Sequence, residues 1–367
     1  MVVDYQDSIL SIMASLRRHY GLEASYKSDE RFSKYLQEHD FKKIILVLID
    51  AMGAKLINKY LNADSFINRN LKYVTSTVFP ATTTAATTAI LNGKAPNESC
   101  WLGWSEYDSE LNEAIIPFLG KGFYSGKEYG ASYFWDKYPT LPIYEELKQR
   151  AYSTLSLWPF GENAFTDFND MVNCCLENKN KDFIYLYWDE YDNLMHLYGP
   201  DAEKCISHLK YIDQQLEYLA NNLDDDTLLL VTADHGQIAI KEYYDLAKSK
   251  YNAYFSKLPA LEGRAQSFWI KAEYREIFAQ EFKEEFEDYF ILLTHDEVIK
   301  THLFGERENH PDFEQFIGDF LAIAKSDKAF VYENGQGINL FKGHHAGICE
   351  AEMLIPFLVY QRDANII

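Results

Sequence analysis

Four apolar runs constrain what this chain can fold into more than any other feature. They lie at 44–49 (IILVLI), 182–188 (DFIYLYW), 227–236 (TLLLVTADHG) and 355–361 (IPFLVYQ). Each is of strand length and largely lacks the polar alternation of a half-solvated strand, so each reads as a strand covered on both faces. Helical patterns lie between them. The clearest is 201–222, where Ile206, Leu209, Ile212, Leu216 and Leu219 recur at steps of three or four. Two more lie at 7–20, with Ile9, Leu10, Ile12, Met13 and Leu16 on one side, and at 30–39. Strands alternating with helices predict an α/β fold with a mostly parallel central sheet flanked by helices on both faces.

Residues 245–328 change character. They are more charged, and the strand-like AQSFWIKA and DYFILLT bracket a helical EYREIFAQEFKEEFE. The expected organisation is therefore N-terminal helices (1–42) packed on a core (43–244 and 329–367) that carries a small inserted α+β lobe (245–328).

Composition removes several functions. The formal net charge of −21 repels nucleic-acid phosphates and anionic membranes, so neither is expected as a partner. The 47% of apolar residues suffices for a sizeable core. The five cysteines form no C-x-x-C pair, which suits reduced thiols. The first twenty residues lack a basic start followed by an apolar run, and no stretch is long and apolar enough to span a bilayer. The expectation is a soluble, cytoplasmic protein.

The chemistry lies where the apolar runs end. Run 44–49 leads into Asp50, run 182–188 is followed by Asp192 and His196, and run 227–231 by Asp234 and His235. A further histidine, His344 or His345, sits in FKGHHAGICEAEM. In open parallel sheets ligands bind beyond the carboxyl ends of the strands, so these clusters predict one shared site. Any one of them alone is a turn or a helix cap; their joint occurrence at successive strand exits argues otherwise. Six mixed carboxylate and imidazole ligands exceed the needs of one tetrahedral zinc and suit two divalent ions, zinc or alternatively manganese. Such a pair can clamp the attacking and leaving oxygens of a phosphoryl transfer.

The ordered motifs VLIDAMG, FPATTTAATTAILNGKAP, DNLMHLYGP, VTADHG and GHHAG resemble those of the alkaline phosphatase superfamily, and most closely its type I phosphodiesterase/nucleotide pyrophosphatase branch. The resemblance implies a di-zinc hydrolase with a covalent phospho-threonine or phospho-serine. It assigns Asp192, His196 and His345 to one metal, and Asp50, Asp234, His235 and the nucleophile oxygen to the other. His345 is preferred to His344 because Ala346-Gly347 follow it. The superfamily places its nucleophile ten residues before the glycine that ends its helix, which is Thr83 before Gly93. Thr82 is then an N-cap, and Thr84, Thr87 and Thr88 return their hydroxyls to backbone carbonyls. The resemblance departs after the helix, where NESCWLGWSEY replaces an expected asparagine. Trp104 there is a candidate substrate contact, and Arg264 a candidate phosphate contact from the lobe. The expected substrate is a small phosphorylated molecule, a nucleotide among the candidates. A phosphomonoesterase of the same superfamily and a non-catalytic metal-stabilised binding protein are the alternatives, and oligomeric state is open.

Overall fold

The computed structural model describes residues 3–161, 164–333 and 340–362. Its central sheet has six strands: β1 (Lys43–Ile49), β2 (Leu71–Ser76), β3 (Thr154–Leu157), β4 (Phe183–Trp188), β5 (Thr227–Thr232) and, near the C-terminus, β10 (Leu354–Gln361). Their order is β2-β10-β5-β1-β4-β3. The four runs read from sequence become β1, β4, β5 and β10, and β1, β4 and β5 are buried almost throughout. The two edge strands β2 and β3 were not legible as apolar runs. Exposed Lys72 and Val74 interrupt β2, and β3 is only four residues long. Short, polar edges are how sheets avoid pairing with other chains.

Pairing is parallel for β1 with β4 and β5 and for β3 with β4, whereas β10 runs antiparallel to both β5 and β2. That reversal later brings a loop from the far end of the chain to the site.

Helix α1 (Ile9–His19) was expected to bury one side. Instead every residue from Ile9 to Arg17 is buried. Its polar face is covered by the segment leading into α2 (Glu30–Glu38): Asp29 N donates to Ser11 O at 3.0 Å and Ser15 Oγ to Asp29 O at 3.1 Å. The serines on that face satisfy their hydroxyls on backbone, which lets a half-polar helix be buried all round.

A second, antiparallel sheet is built from β6 (Phe255–Glu262), β7 (Ala265–Ile270), β8 (Phe290–Thr294) and β9 (Phe320–Ala324), in the order β6-β7-β9-β8. It has its own core, centred on Phe268, Phe278, Phe282, Phe286 and Phe330. The phenylalanines at 278, 282 and 286 repeat every four residues on one face of a helix (Arg275–Phe286). Among the described residues no helix is long and apolar enough to cross a membrane.

Candidate active site

Strand register sets the position of the acidic residues. Leu48 of β1 lies opposite Thr232 of β5, and Ile49 opposite Trp188 of β4. The three strands therefore end level, and Asp50, Asp189 and Asp234 leave the sheet at one edge. Asp50 N donates to Trp188 O at 2.9 Å, which holds the first of these exits in place. Because β10 is antiparallel to β5, with Phe357 opposite Thr232, the loop preceding β10 returns to the same edge and carries His345. Helix α3 (Glu190–Tyr198) presents Asp192 and His196 one turn apart on a single face.

Two groups of ligand atoms result, Asp50 with Asp234 and His235, and Asp192 with His196 and His345, with the atoms of each group within 4.8 Å of one another. They adjoin: the rings of His235 and His345 stack at 4.0 Å. His345 rather than His344 enters the second group; His344 instead accepts the His345 N–H on its Nδ1 at 2.9 Å.

The donor set fits cations. Each histidine places Nδ1 against a carbonyl oxygen, His196 on Gly343 O (2.8 Å), His235 on Gly236 O (3.1 Å) and His345 on Ala81 O (3.2 Å). A carbonyl only accepts, so Nδ1 carries the proton and a neutral ring turns a bare Nε2 inward, the usual arrangement of a ligating histidine. His235 Nε2 lies 3.3 Å from Asp50 Oδ1 and 3.7 Å from Asp234 Oδ2. Asp50 Oδ1 is buried without a hydrogen bond. Acceptors facing acceptors in a buried site call for a positive ion between them. Burial, together with the Asp234 and Asp192 carboxylates, pushes the Asp50 carboxyl well above its usual range. Burial works against a charged His196, but the adjoining Asp192 outweighs it and raises the imidazole. Protons therefore compete with a metal for both groups as pH falls through their raised values. Divalent-ion affinity is expected to drop at least tenfold from pH 8 to pH 6, as checked by metal titration; affinity independent of pH would contradict these protonation states.

Thr83 opens the helix Thr83–Asn92, which closes on left-handed Gly93 (φ 72°). Its Oγ1 donates to Asp50 Oδ2 at 3.3 Å and lies 3.2 Å from His235 Nε2. Three of the expectations for its neighbours need correction. Thr84 does not return its hydroxyl to the backbone: its Oγ1 is buried without a hydrogen bond. Thr82 is at the N-cap position but its side chain caps nothing; the hydroxyl donates to Glu262 Oε1 at 2.6 Å instead. Thr87 does not return its hydroxyl to the backbone but donates to Asp234 Oδ2 at 3.1 Å. The first-turn amides thus keep no side-chain cap of their own, and with the helix dipole they favour an anion there.

A cavity of about 760 Å³ extends from Asp50, Thr83 and Asp192 along this helix. Its walls are aromatic: Trp104, Phe118, Trp135, Tyr144, Trp158, Phe160 and Tyr187. Trp104 lines it, whereas the neighbouring Trp101 is fully buried against Phe134 and Trp135 and donates Nε1 to Tyr138 O at 3.0 Å. Arg264, expected as a phosphate contact, does not reach the cavity. It is fully buried, with Nε and Nη2 each 2.7 Å from Glu352 and Nη1 2.6 Å from Lys328 O. A buried guanidinium needs a paired carboxylate, and this one is spent on its partner.

Sequence reasoning missed three residues that touch the ligand groups or their neighbours. Tyr187 OH donates to Asp50 Oδ2, Gln237 Nε2 donates to Asp192 Oδ1, and Glu262 accepts from Thr82. Only Tyr187 left a signal. Tyr185 and Tyr187 share one face of a buried strand, and a buried phenol needs a partner.

The architecture is shared with several solved structures. Murine ectonucleotide pyrophosphatase/phosphodiesterase 5 matches with a TM-score of 0.67 at 18% identity, covering 87% of this chain and 88% of that one. An inactive threonine-to-alanine variant of the same murine protein, in complex with AMP, matches with a TM-score of 0.65 at 18% identity over the same shares. Phosphonoacetate hydrolase from Sinorhizobium meliloti 1021, in complex with phosphonoformate, matches with a TM-score of 0.65 at 13% identity, covering 89% of this chain and 92% of that one. At such identities these likenesses show the fold. No curated protein sequence gives a significant match. The family model of type I phosphodiesterase/nucleotide pyrophosphatase matches residues 44–347, a span that holds both ligand groups and Thr83, and the chain belongs to that family of phosphoester hydrolases.

Proposed function

We propose that this protein is a two-metal phosphodiesterase that works through a covalent phosphothreonine at Thr83. The observation that carries this is the position of Thr83 Oγ1, at an uncapped helix start and within 3.3 Å of both Asp50 and His235. The mixed nitrogen and oxygen ligand sets favour zinc, with manganese as the alternative. Two divalent ions, when bound, supply Lewis-acid stabilisation of the attacking and leaving oxygens.

The chain's own residues do the rest. Thr83 Oγ1 forms the bond to phosphorus in line with the departing ester oxygen. The hydroxyl proton leaves toward Asp50 Oδ2, its present hydrogen-bond acceptor, and the departing alcohol takes a proton from solvent. The helix start holds the added phosphate charge. Water then attacks phosphorus from the opposite side and Thr83 Oγ1 leaves, regaining its proton. Two in-line displacements predict net retention at phosphorus.

The cavity narrows the substrate. Among the described residues its lining includes Asp50, Asp189 and Asp192 and no lysine or arginine. A diester brings one negative charge to the metals and an aromatic group to the rings, whereas a di- or triphosphate brings several charges to a wall with no cation. AMP in the murine neighbour supports a nucleoside-sized ligand. With two metals bound, bis-p-nitrophenyl phosphate is expected to be hydrolysed at least tenfold faster than p-nitrophenyl phosphate, and chelator to abolish both. Hydrolysis of neither substrate would favour a binding protein, and a faster monoester a phosphatase. Trp104→Ala is expected to raise KM for the aromatic diester about tenfold, the equivalent of roughly 1.4 kcal/mol of lost stacking, with kcat little changed. An unchanged KM would remove Trp104 from the substrate site. The five cysteines, all free thiols, support a cytoplasmic location, which fractionation of cells would test.

A further inference from the structure

Glu262 is the last residue of β6, at the tip of the β6–β7 hairpin where it lies opposite Ala265. It is 7% exposed. One carboxylate oxygen, Oε1, accepts two hydrogen bonds from different parts of the site: from Thr82 Oγ1 at 2.6 Å and from Trp104 N at 2.8 Å. The first donor adjoins Thr83; the second belongs to a residue that walls the cavity. The hairpin tip is itself held rigidly. Leu261 exchanges backbone hydrogen bonds with Ser105 (2.6 and 3.1 Å). Arg264, two residues on, is clamped by Glu352, whose Oε1 also accepts Gly347 N at 2.8 Å, two residues beyond His345.

We infer that Glu262 is a positioning residue, which fixes the Thr82–Thr83 turn and the Trp104 wall to the hairpin of the second sheet and so sets the angle at which Thr83 Oγ1 meets a bound phosphate. The hydroxyl of Thr82 is the handle. Its use by Glu262, rather than by the helix it precedes, explains why the N-cap residue makes no cap. The chemistry asked of Glu262 is acceptance of two hydrogen bonds at one oxygen, which an amide oxygen can also perform. Displacing a nucleophile by a fraction of an ångström costs turnover more than substrate binding.

The inference rests on the phosphodiesterase reading for its kinetic arm only. Four variants of the metal-loaded protein test it: Glu262→Ala, Glu262→Gln, Thr82→Val and Thr82→Ser. With bis-p-nitrophenyl phosphate, Glu262→Ala and Thr82→Val are expected to lower kcat about 10- to 100-fold with KM changed far less. Glu262→Gln and Thr82→Ser are expected to recover about a third or more of the wild-type kcat. The combined Glu262→Ala/Thr82→Val variant should be no worse than the poorer single, because the bond that Thr82→Val removes is already lost in Glu262→Ala. A Glu262→Gln variant as impaired as Glu262→Ala would overturn the inference and assign the carboxylate a proton-transfer or charge role. A second readout needs no turnover. Amide hydrogen exchange at Thr82 and Ala86, whose N–H groups bond Pro80 O and Thr82 O at 2.9 Å, should quicken about tenfold in Glu262→Ala and Thr82→Val and not in Glu262→Gln. Unchanged exchange in Glu262→Ala overturns the inference whatever the substrate. A wild type inert toward the diester, with these exchange changes intact, overturns only the proposed function. If Glu262→Ala does not fold, Thr82→Val alone decides, because it removes the same bond from the other side.

Discussion

A Thr83→Ala variant is expected to lose turnover of bis-p-nitrophenyl phosphate by about 10⁴-fold or more while keeping its metals. The size follows from the proposed role: removing a covalent nucleophile removes the first chemical step, and what remains is whatever water can do at the same metals. Metal retention follows from geometry. The two ligand groups comprise six side chains besides Thr83, and the Thr83 hydroxyl is only part-buried. The variant keeps the helix, because alanine has a higher helix propensity than threonine. Metal content by elemental analysis, kcat, and acid-quenched phosphoenzyme in the wild type check the three parts. A variant with most of its activity intact would place the nucleophile elsewhere, and activity lost together with the metals would make Thr83 chiefly a ligand.

The second large effect concerns stability. Arg264 and Glu352 form an ion pair with both side chains fully buried, through two hydrogen bonds of 2.7 Å. Glu352→Ala leaves a guanidinium in the interior without its counter-charge, and Arg264→Ala does the converse. Each is expected to cost about 3–5 kcal/mol of unfolding free energy. The double replacement Arg264→Met/Glu352→Leu is expected to be far milder than the sum of the two singles, since it leaves no lone charge. Urea unfolding of the four proteins measures this, and additive losses would show that the residues do not act as a pair. Glu352 also holds the loops of two candidate metal-ligand histidines, through Gly347 N to its carboxylate and Gly236 N to its carbonyl, both at 2.8 Å. Metal affinity should therefore fall with stability in Glu352→Ala. The same pair explains why Arg264 gave a false lead. An arginine among phosphate-site motifs has the right chemistry, but only its surroundings reveal whether the fork is already occupied.

Much of the fold was legible because burial on both faces leaves a mark that no other environment does. The runs that became β1, β4, β5 and β10 are apolar at nearly every position, and the helix Glu203–Asn221 keeps its three- and four-residue spacing. Edge strands β2 and β3 left no such mark, since an edge is half solvent. The covering of α1 on its serine face depends on residues more than ten positions away, which periodicity within the helix cannot express.

The ligand groups stand between these cases. Asp50, Asp234 and His235 follow strands closely and Asp192 and His196 lie on the helix that leaves β4, so the rule that parallel sheets bind ligands at their carboxyl edge brings them together before any coordinates exist. His345 does not obey that rule, since it precedes its strand; it reaches the edge only because β10 is antiparallel to β5. In the five-threonine stretch 82–88, composition could mark an unusual segment and no more. Three of its hydroxyl groups have different uses: Thr82 bonds Glu262, Thr83 meets Asp50 and His235, and Thr87 bonds Asp234. Local sequence carries strand burial, helix period and the residues at strand ends, because those depend on neighbours in the chain. Which hydroxyl meets which carboxylate, and whether an arginine is free or clamped, depends on partners up to 180 residues apart, and only the packed structure sets them.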